Sequence, residues 1–293
     1  MSAREFRFVH VDVFTSVPLE GNQLAVFPDA RGLSDAEMQK LAKEMNLSET
    51  TFILPRDAAT EAREGIRVRI FTVQEELPFA GHPTLGTAWY LKQQKPERSE
   101  IVLHLNVGRV PVHFETRDGQ LFGEMRQADP QFSETHQHSR VAQALGVPLS
   151  ELDENLPIQT VSTGLTFTIV AFREASRLGQ TTFSWPQMAS YFKDKSNPNF
   201  FYLVARDSER RLHARMIFYN GEDPATGSAA GCCTAWAVKY GVLASDEQGL
   251  IEQGREVLRP SSIYVRATKT ADSVANVHVG GHVAPVINGK VTL

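Results

Sequence analysis

Three stretches carry the residues from which this chain could do chemistry. Ser48 and Glu49 lie in Asn46-Leu47-Ser48-Glu49-Thr50-Thr51. Gly81 and His82 lie in Glu76-Leu77-Pro78-Phe79-Ala80-Gly81-His82-Pro83, and Asp223, Gly227 and Ser228 lie in Glu222-Asp223-Pro224-Ala225-Thr226-Gly227-Ser228-Ala229. The carboxyl groups of Glu49 and Asp223, the imidazole of His82 and the hydroxyl of Ser228 suit proton transfer. A carboxyl group in an enclosed, partly apolar cleft has its pKa raised towards the working pH, where it takes up and returns protons efficiently. An imidazole at a helix N-terminus is biased towards its neutral form by the positive end of the dipole, so it can orient a partner or donate a hydrogen bond. The chain has no Walker loop, dinucleotide fingerprint or Gly-x-Ser-x-Gly elbow, which leaves hydrolysis and hydride transfer with little support. Each residue also has a plainer reading: Glu49 as a loop acid, His82 as a capping or packing residue, Asp223 as an acceptor for turn N–H groups.

The elements that must position these residues come in pairs. A shift of 146 places Glu76 on Glu222, Pro78 on Pro224, Gly81 on Gly227 and His82 on Ser228, while Arg69 falls on Arg215. Each copy reads as strand, tight turn, helix. Residues 66–72 and 213–219 are rich in β-branched and aromatic side chains and run into Pro/Gly turn signals. A helix follows Pro83, with Leu85, Ala88 and Leu91 apolar, and another follows Gly227, apolar on nearly every face until Gly241. Two glycine-led helix starts present free N–H groups and the positive dipole end, an arrangement suited to anions. Duplicated halves facing each other would bring both starts to one ligand.

Around these copies, residues 6–14 and 24–27 read as strands and Ser34 with Glu37 as a capping box opening a helix through Met45. Strands are expected at 52–54, 101–105, 110–116 and 121–125, and residues 129–138 as a polar linker. In the second half a short helix ends at Gly146. Strands follow at 158–160 and 167–172, a helix near 186–193, and strands at 199–203, 262–266, 274–279 and 283–287. Asn288-Gly289 reads as a turn into a final strand. The junction at 196–199 matches the one at Glu49 but carries no Glu, so the acid there is one-sided.

With 293 residues, 42% hydrophobic and 22% charged, the chain reads as a soluble globular protein of two domains. The expected halves are 1–128, completed by a C-terminal strand near 283–293, and 129–282. A net charge of −4 gives no basic stripe for nucleic acid or a membrane. No secretory signal is expected at the N-terminus. Cys232 and Cys233 are adjacent, unsuited to an ordinary disulfide and without a second cluster for a metal, so a cytoplasmic, metal-free protein is expected.

The chain resembles the phenazine-biosynthesis PhzF-like family of the diaminopimelate epimerase superfamily. The resemblance runs through residues 11–22 (Val-Asp-Val-Phe-Thr-Ser-Val-Pro-Leu-Glu-Gly-Asn), 45–52, 76–88 and 222–231. It implies an α+β fold of two pseudo-symmetric halves, each a β-barrel-like sheet around a central helix, with the C-terminal strand returning to the first half. It implies Glu49 as general acid/base, assisted by Gly81, His82 and Asp223, with Gly227, Ser228 and Ser48 holding the substrate. The implied reaction moves a proton on a small cyclic or unsaturated carboxylate, as in trans-2,3-dihydro-3-hydroxyanthranilate isomerisation, without cofactor and in a homodimer. Superfamily racemases use one cysteine from each half. Here His82 and Ser228 stand at those helix starts, which favours one-sided transfer over inversion. An amino-acid or hydroxy-acid racemase or epimerase, and a non-catalytic carboxylate-binding protein, are the alternatives.

Overall fold

The backbone of the computed structural model, described for residues 3–193, 200–219 and 221–293, divides into two units: residues 1–126 with 280–293, and residues 127–279. The first unit contains β1 (Glu5–Val13), β2 (Asn22–Phe27), α1 (Asp35–Met45), β3 (Glu49–Ile53) and α2 (Ala58–Glu64). It continues with β4 (Ile66–Phe71), β5 (Glu76–Leu77), α3 (Gly81–Gln94), β6 (Glu100–Leu105), β7 (Gly108–Arg117) and β8 (Gln120–Arg126). β1 pairs with β2 antiparallel, β2 with β3 parallel, β3 with β4 antiparallel and β4 with β6 parallel, and β6, β7 and β8 form an antiparallel meander. The chain's last strand, Val274–Thr292, pairs with β8 and, antiparallel, with β1, so eight strands close into a barrel.

Inside the barrel runs α3, whose residues from Gly81 to Ala88 are all buried and which touches β1, β2, β3, β6 and β8. A helix enclosed this way needs a side without bulk. Gly86 supplies it: a Cβ there would stand 2.6 Å from Leu24 Cδ2 and 2.8 Å from Val13 Cγ2. On the barrel's outer face α1 lays Met38, Leu41 and Ala42 against a cluster containing Phe27, Phe52 and Phe71, with the first two rings stacked at 4.9 Å. Both signals of its capping box are present: Ser34 Oγ accepts the Glu37 N–H, and the Glu37 carboxylate accepts the Ser34 N–H at 2.8 Å.

The second unit contains β9 (Gln131–His136), α4 (His138–Leu145), β10 (Ile158–Ser162), β11 (Thr166–Phe172), α5 (Ala175–Gln180), α6 (Trp185–Ser190) and β12 (Phe200–Ser208). It continues with β13 (Arg211–Phe218), β14 (Gly221–Glu222), α7 (Gly227–Lys239), β15 (Gly249–Gln253), β16 (Ser261–Lys269) and the first part of the last strand, β17. From β10 the pairings run antiparallel, parallel, antiparallel, parallel, antiparallel through β11, β12, β13, β15 and β16. Every residue of α7 from Gly227 to Val238 is buried, and the helix touches β10, β11 and β16. The apolar character expected on all its faces follows from that enclosure.

Several expectations are corrected. Residues 131–136, expected in a linker, form β9, because pairing with β10 satisfies a backbone whose side chains are mostly polar and exposed. The short helices α2 and α5 and the strand β15 carry too few apolar positions to show a period. Asn288-Gly289 is no turn: both residues lie inside β17 opposite Val9 and Phe8 of β1. Gly289 is there for close approach, since a Cβ would meet the Phe8 ring at 2.6 Å. The junction at residues 196–199 lies outside the described residues.

Candidate active site

In the first unit, β3 begins with Glu49, in parallel register with Leu24 of β2. Two residues on, Thr51 is buried and its hydroxyl meets that of Thr87 on α3 at 2.8 Å, which ties the strand bearing the acid to the helix bearing the imidazole. That helix begins at Gly81 after Ala80, and His82 follows in its first turn. The result brings Glu49 Oε2 to 3.5 Å from His82 Nε2. His82 is 4% exposed, whereas the Glu49 side chain keeps 16% of its surface accessible.

Burial decides the charge of the imidazole. It pushes the His82 pKa down to about 3, against the Gln23 backbone carbonyl, which favours the protonated ring. The helix dipole also favours a neutral ring, but desolvation is the main cause. At neutral pH the 3.5 Å contact therefore joins a neutral imidazole to a carboxyl group and is no ion pair. On the ring's other side Asn22 Nδ2 lies 3.3 Å from Nδ1. With that amide nitrogen donating, Nδ1 accepts and the ring hydrogen sits on Nε2, whose 3.5 Å separation from Glu49 Oε2 is a contact and not a hydrogen bond. Asn22 is 1% exposed and forms the first position of β2. Sequence reasoning passed over it, although it stands in the Gly21-Asn22 turn; nothing in its spacing announces a partner 60 residues away.

Ser48, half-buried, immediately precedes β3. Gly81 is the first residue of α3, and no side chain caps that helix and no acid stands in its first turn. The same holds for α7 at Gly227. By contrast α1 has its capping box and two first-turn acids. The two enclosed helices thus keep the positive character of their starts, worth about 0.3–1 kcal/mol for a nearby anion at an exposed site.

The second unit gathers Asp223, Gly227 and Ser228 at the start of α7, all buried. Asp223 Oδ2 accepts the Thr226 hydroxyl at 2.6 Å. From below, Gln127 Nε2 donates to the Gly227 carbonyl at 2.9 Å while its Oε1 accepts the Thr163 hydroxyl at 2.6 Å. Cys232 and Cys233 follow on α7 with no exposed surface. Burial raises both thiol pKa values, that of Cys232 to about 11 against hydrogen bonds from Thr163 that lower it.

The turns leading to both helices are held alike. Arg69 clasps Glu76 through Nε–Oε1 at 2.8 Å and Nη2–Oε2 at 2.5 Å. Arg215 clasps Glu222 through the same atoms at 2.8 and 2.7 Å. These pairs fasten the two-residue strands β5 and β14 to β4 and β13, and each strand leads directly into its helix turn. The echo detected in sequence is therefore a clamp with a mechanical purpose.

A closed barrel threaded by a buried, glycine-led helix, with an acid and a neutral imidazole side by side at the helix start, defines a class: the fold of the PhzF proteins. The chain belongs to the phenazine biosynthesis-like (PhzC-PhzF) family, whose model matches residues 11–289. It is 33% identical to the trans-2,3-dihydro-3-hydroxyanthranilate isomerase of Pseudomonas aeruginosa, across 98% of this chain and 99% of that one. It is also 35% identical to an uncharacterized isomerase of Mesorhizobium japonicum, with 96% of each chain covered. Among solved structures, a PhzF-family phenazine biosynthesis protein of Bacillus anthracis superposes with a TM-score of 0.86 at 26% identity, covering 99% of this chain and 100% of that one. The protein is an isomerase of this family.

Proposed function

We propose that the protein moves a proton between two carbons of a small cyclic or unsaturated carboxylate, without cofactor, with Glu49 as the group that carries it. The observation that carries this reading is the 3.5 Å approach of Glu49 Oε2 to a buried, neutral His82 Nε2. A neutral imidazole can stand against the carboxyl group without competing for the proton in transit, because its own basicity has been lowered. The carboxylate takes a proton from one carbon, the π-electrons of the substrate shift, and the carboxyl group, able to exchange its proton with solvent, delivers a proton to another carbon. Ser48, Gly81, Gly227 and Ser228 bind the substrate, its carboxylate at the uncapped helix starts, and Asp223 assists in the same reaction. Relatedness over the full length to a trans-2,3-dihydro-3-hydroxyanthranilate isomerase supports that compound as the first to try. The two units, with the same alternation of antiparallel and parallel pairings from β1 and from β10, are proposed as repeats of one design. Inversion by two opposed thiolates has no support in this chain, since both thiols are buried with raised pKa values.

The test is incubation with trans-2,3-dihydro-3-hydroxyanthranilate in deuterated water, followed by mass spectrometry and NMR of substrate and product. Wild type should produce the isomer and Glu49→Gln, folded by circular dichroism, should not. Turnover by Glu49→Gln at the wild-type rate would remove Glu49 from the mechanism.

A further inference from the structure

The last residue of β15, Gln253, has no exposed surface and lies against the turn from Asp223 to Thr226. Its amide orientation is set by the main chain. Oε1 accepts the Thr226 N–H at 3.1 Å and Nε2 donates to the Asp223 carbonyl at 2.7 Å, so the opposite orientation would set donor against donor and acceptor against acceptor. With the amide fixed, the hydroxyls around it are fixed too. Tyr202, also fully buried, donates to Oε1 at 2.9 Å. The second Nε2 hydrogen faces Thr226 Oγ1 at 3.0 Å, so that hydroxyl accepts from the amide and gives its own hydrogen to Asp223 Oδ2 at 2.6 Å. The hydrogen bonds thus run in one direction, from Tyr202 to Gln253 and from Gln253 through Thr226 to Asp223.

A carboxyl oxygen that receives a hydroxyl hydrogen cannot itself carry a proton directed at that hydroxyl. The relay therefore favours the ionised carboxyl group and holds one of its oxygens inward. The backbone beside it leaves little slack. Gly254 has φ +83°, and a Cβ there would stand 2.5 Å from the Pro224 carbonyl oxygen and 3.0 Å from Pro224 Cα, so the end of β15 abuts the turn directly. Gln253 is 30 residues from Asp223 in sequence and on a strand that no apolar period announces.

We propose that Gln253 is a positioning residue: acting through Thr226, its amide sets the orientation and charge state of the Asp223 carboxyl group. The link from this relay to turnover rests on the role given to Asp223 above. The relay itself rests on the hydrogen-bond directions alone.

The test follows the Asp223 carboxyl carbon by NMR in protein labelled at aspartate, with Asp223→Asn identifying the signal. Thr226→Val removes the hydroxyl, Thr226→Ser restores it, and Gln253→Glu replaces the donating amide with an oxygen that competes for the Thr226 hydrogen. The Asp223 titration midpoint should rise by about one pH unit or more in Thr226→Val and Gln253→Glu and stay near wild type in Thr226→Ser. Tyr202→Phe, which removes the donor furthest from Asp223, should shift it less in the same direction, and decides the role of Gln253 if Gln253→Glu does not fold. Unchanged midpoints in folded variants overturn the proposal. Where wild type turns over the carboxylate, the acid limb of its pH–rate profile should move by the same amount as the NMR midpoint. Shifted midpoints without turnover by wild type would sustain the relay and refute the proposed function.

Discussion

Arg215 and Glu222 form a buried two-pronged ion pair, Nε–Oε1 at 2.8 Å and Nη2–Oε2 at 2.7 Å, and Arg215 spends its remaining nitrogen on the Leu178 and Thr181 carbonyls at 2.9 and 2.5 Å. Its side chain is 7% exposed and that of Glu222 11%. Removing one partner would strand the other charge in a poorly solvated site. Arg215→Met should therefore cost about 3–5 kcal/mol of stability in urea unfolding. Arg69→Met, which breaks the more accessible pair with Glu76, should cost less. Equal losses would mean that the depth of the second clamp has no energetic weight.

His82 makes stability depend on pH. Its folded pKa, about 3, lies below the ordinary 6.5, so between these values the unfolded chain binds the extra proton. The sign follows: the contribution is fully present above about pH 6.5 and is lost as the pH falls towards 3. Between pH 7.5 and 5.5 wild type should lose about 1.4 kcal/mol that His82→Asn does not lose. Parallel pH profiles for the two proteins would contradict a neutral buried ring.

Burial of Cys232 and Cys233 keeps their thiols protonated at neutral pH. A disulfide reagent at pH 8 should label neither in the native protein and both after unfolding. Cys233→Ala should retain deuterium exchange into substrate, whereas a loss of exchange in a folded variant would return the thiols to the mechanism.

Gly86 sets the depth at which α3 lies in the barrel. Gly86→Ala would drive a methyl group into Leu24 and Val13 and should cost about 1–3 kcal/mol, despite the better helix propensity of alanine. Combining it with Leu24→Ala should recover part of that loss, and no recovery would point away from the Leu24 contact.

What the sequence made legible was local or repeated. Ser34 and Glu37 announce α1 because both partners of the capping box lie within one turn. The clamps at Arg69–Glu76 and Arg215–Glu222 were visible as an echo because the same structural need recurs at one spacing. Position 49 could be named from its motif, but the start of β3 there could not, since its register depends on Leu24 of β2. The same reason hid Asn22 from His82 and Gln253 from Asp223: each pair is joined by tertiary contact, with no period along the chain to reveal it. Gly289 misled because glycine serves turns and tight contacts equally well, and only the Phe8 ring opposite decides between them.

The membership of residues 280–293 in the first unit has a consequence for how the protein is made. On the ribosome, β1 emerges long before residues 280–293, the stretch that seals its free edge. Until those residues leave the exit tunnel, the sheet of the first unit stays open along that seam, and a chain cut before residue 280 would leave the edge unsealed. Nascent chains should accordingly be sensitive to protease in β1 and β8 until residues 280–293 have emerged.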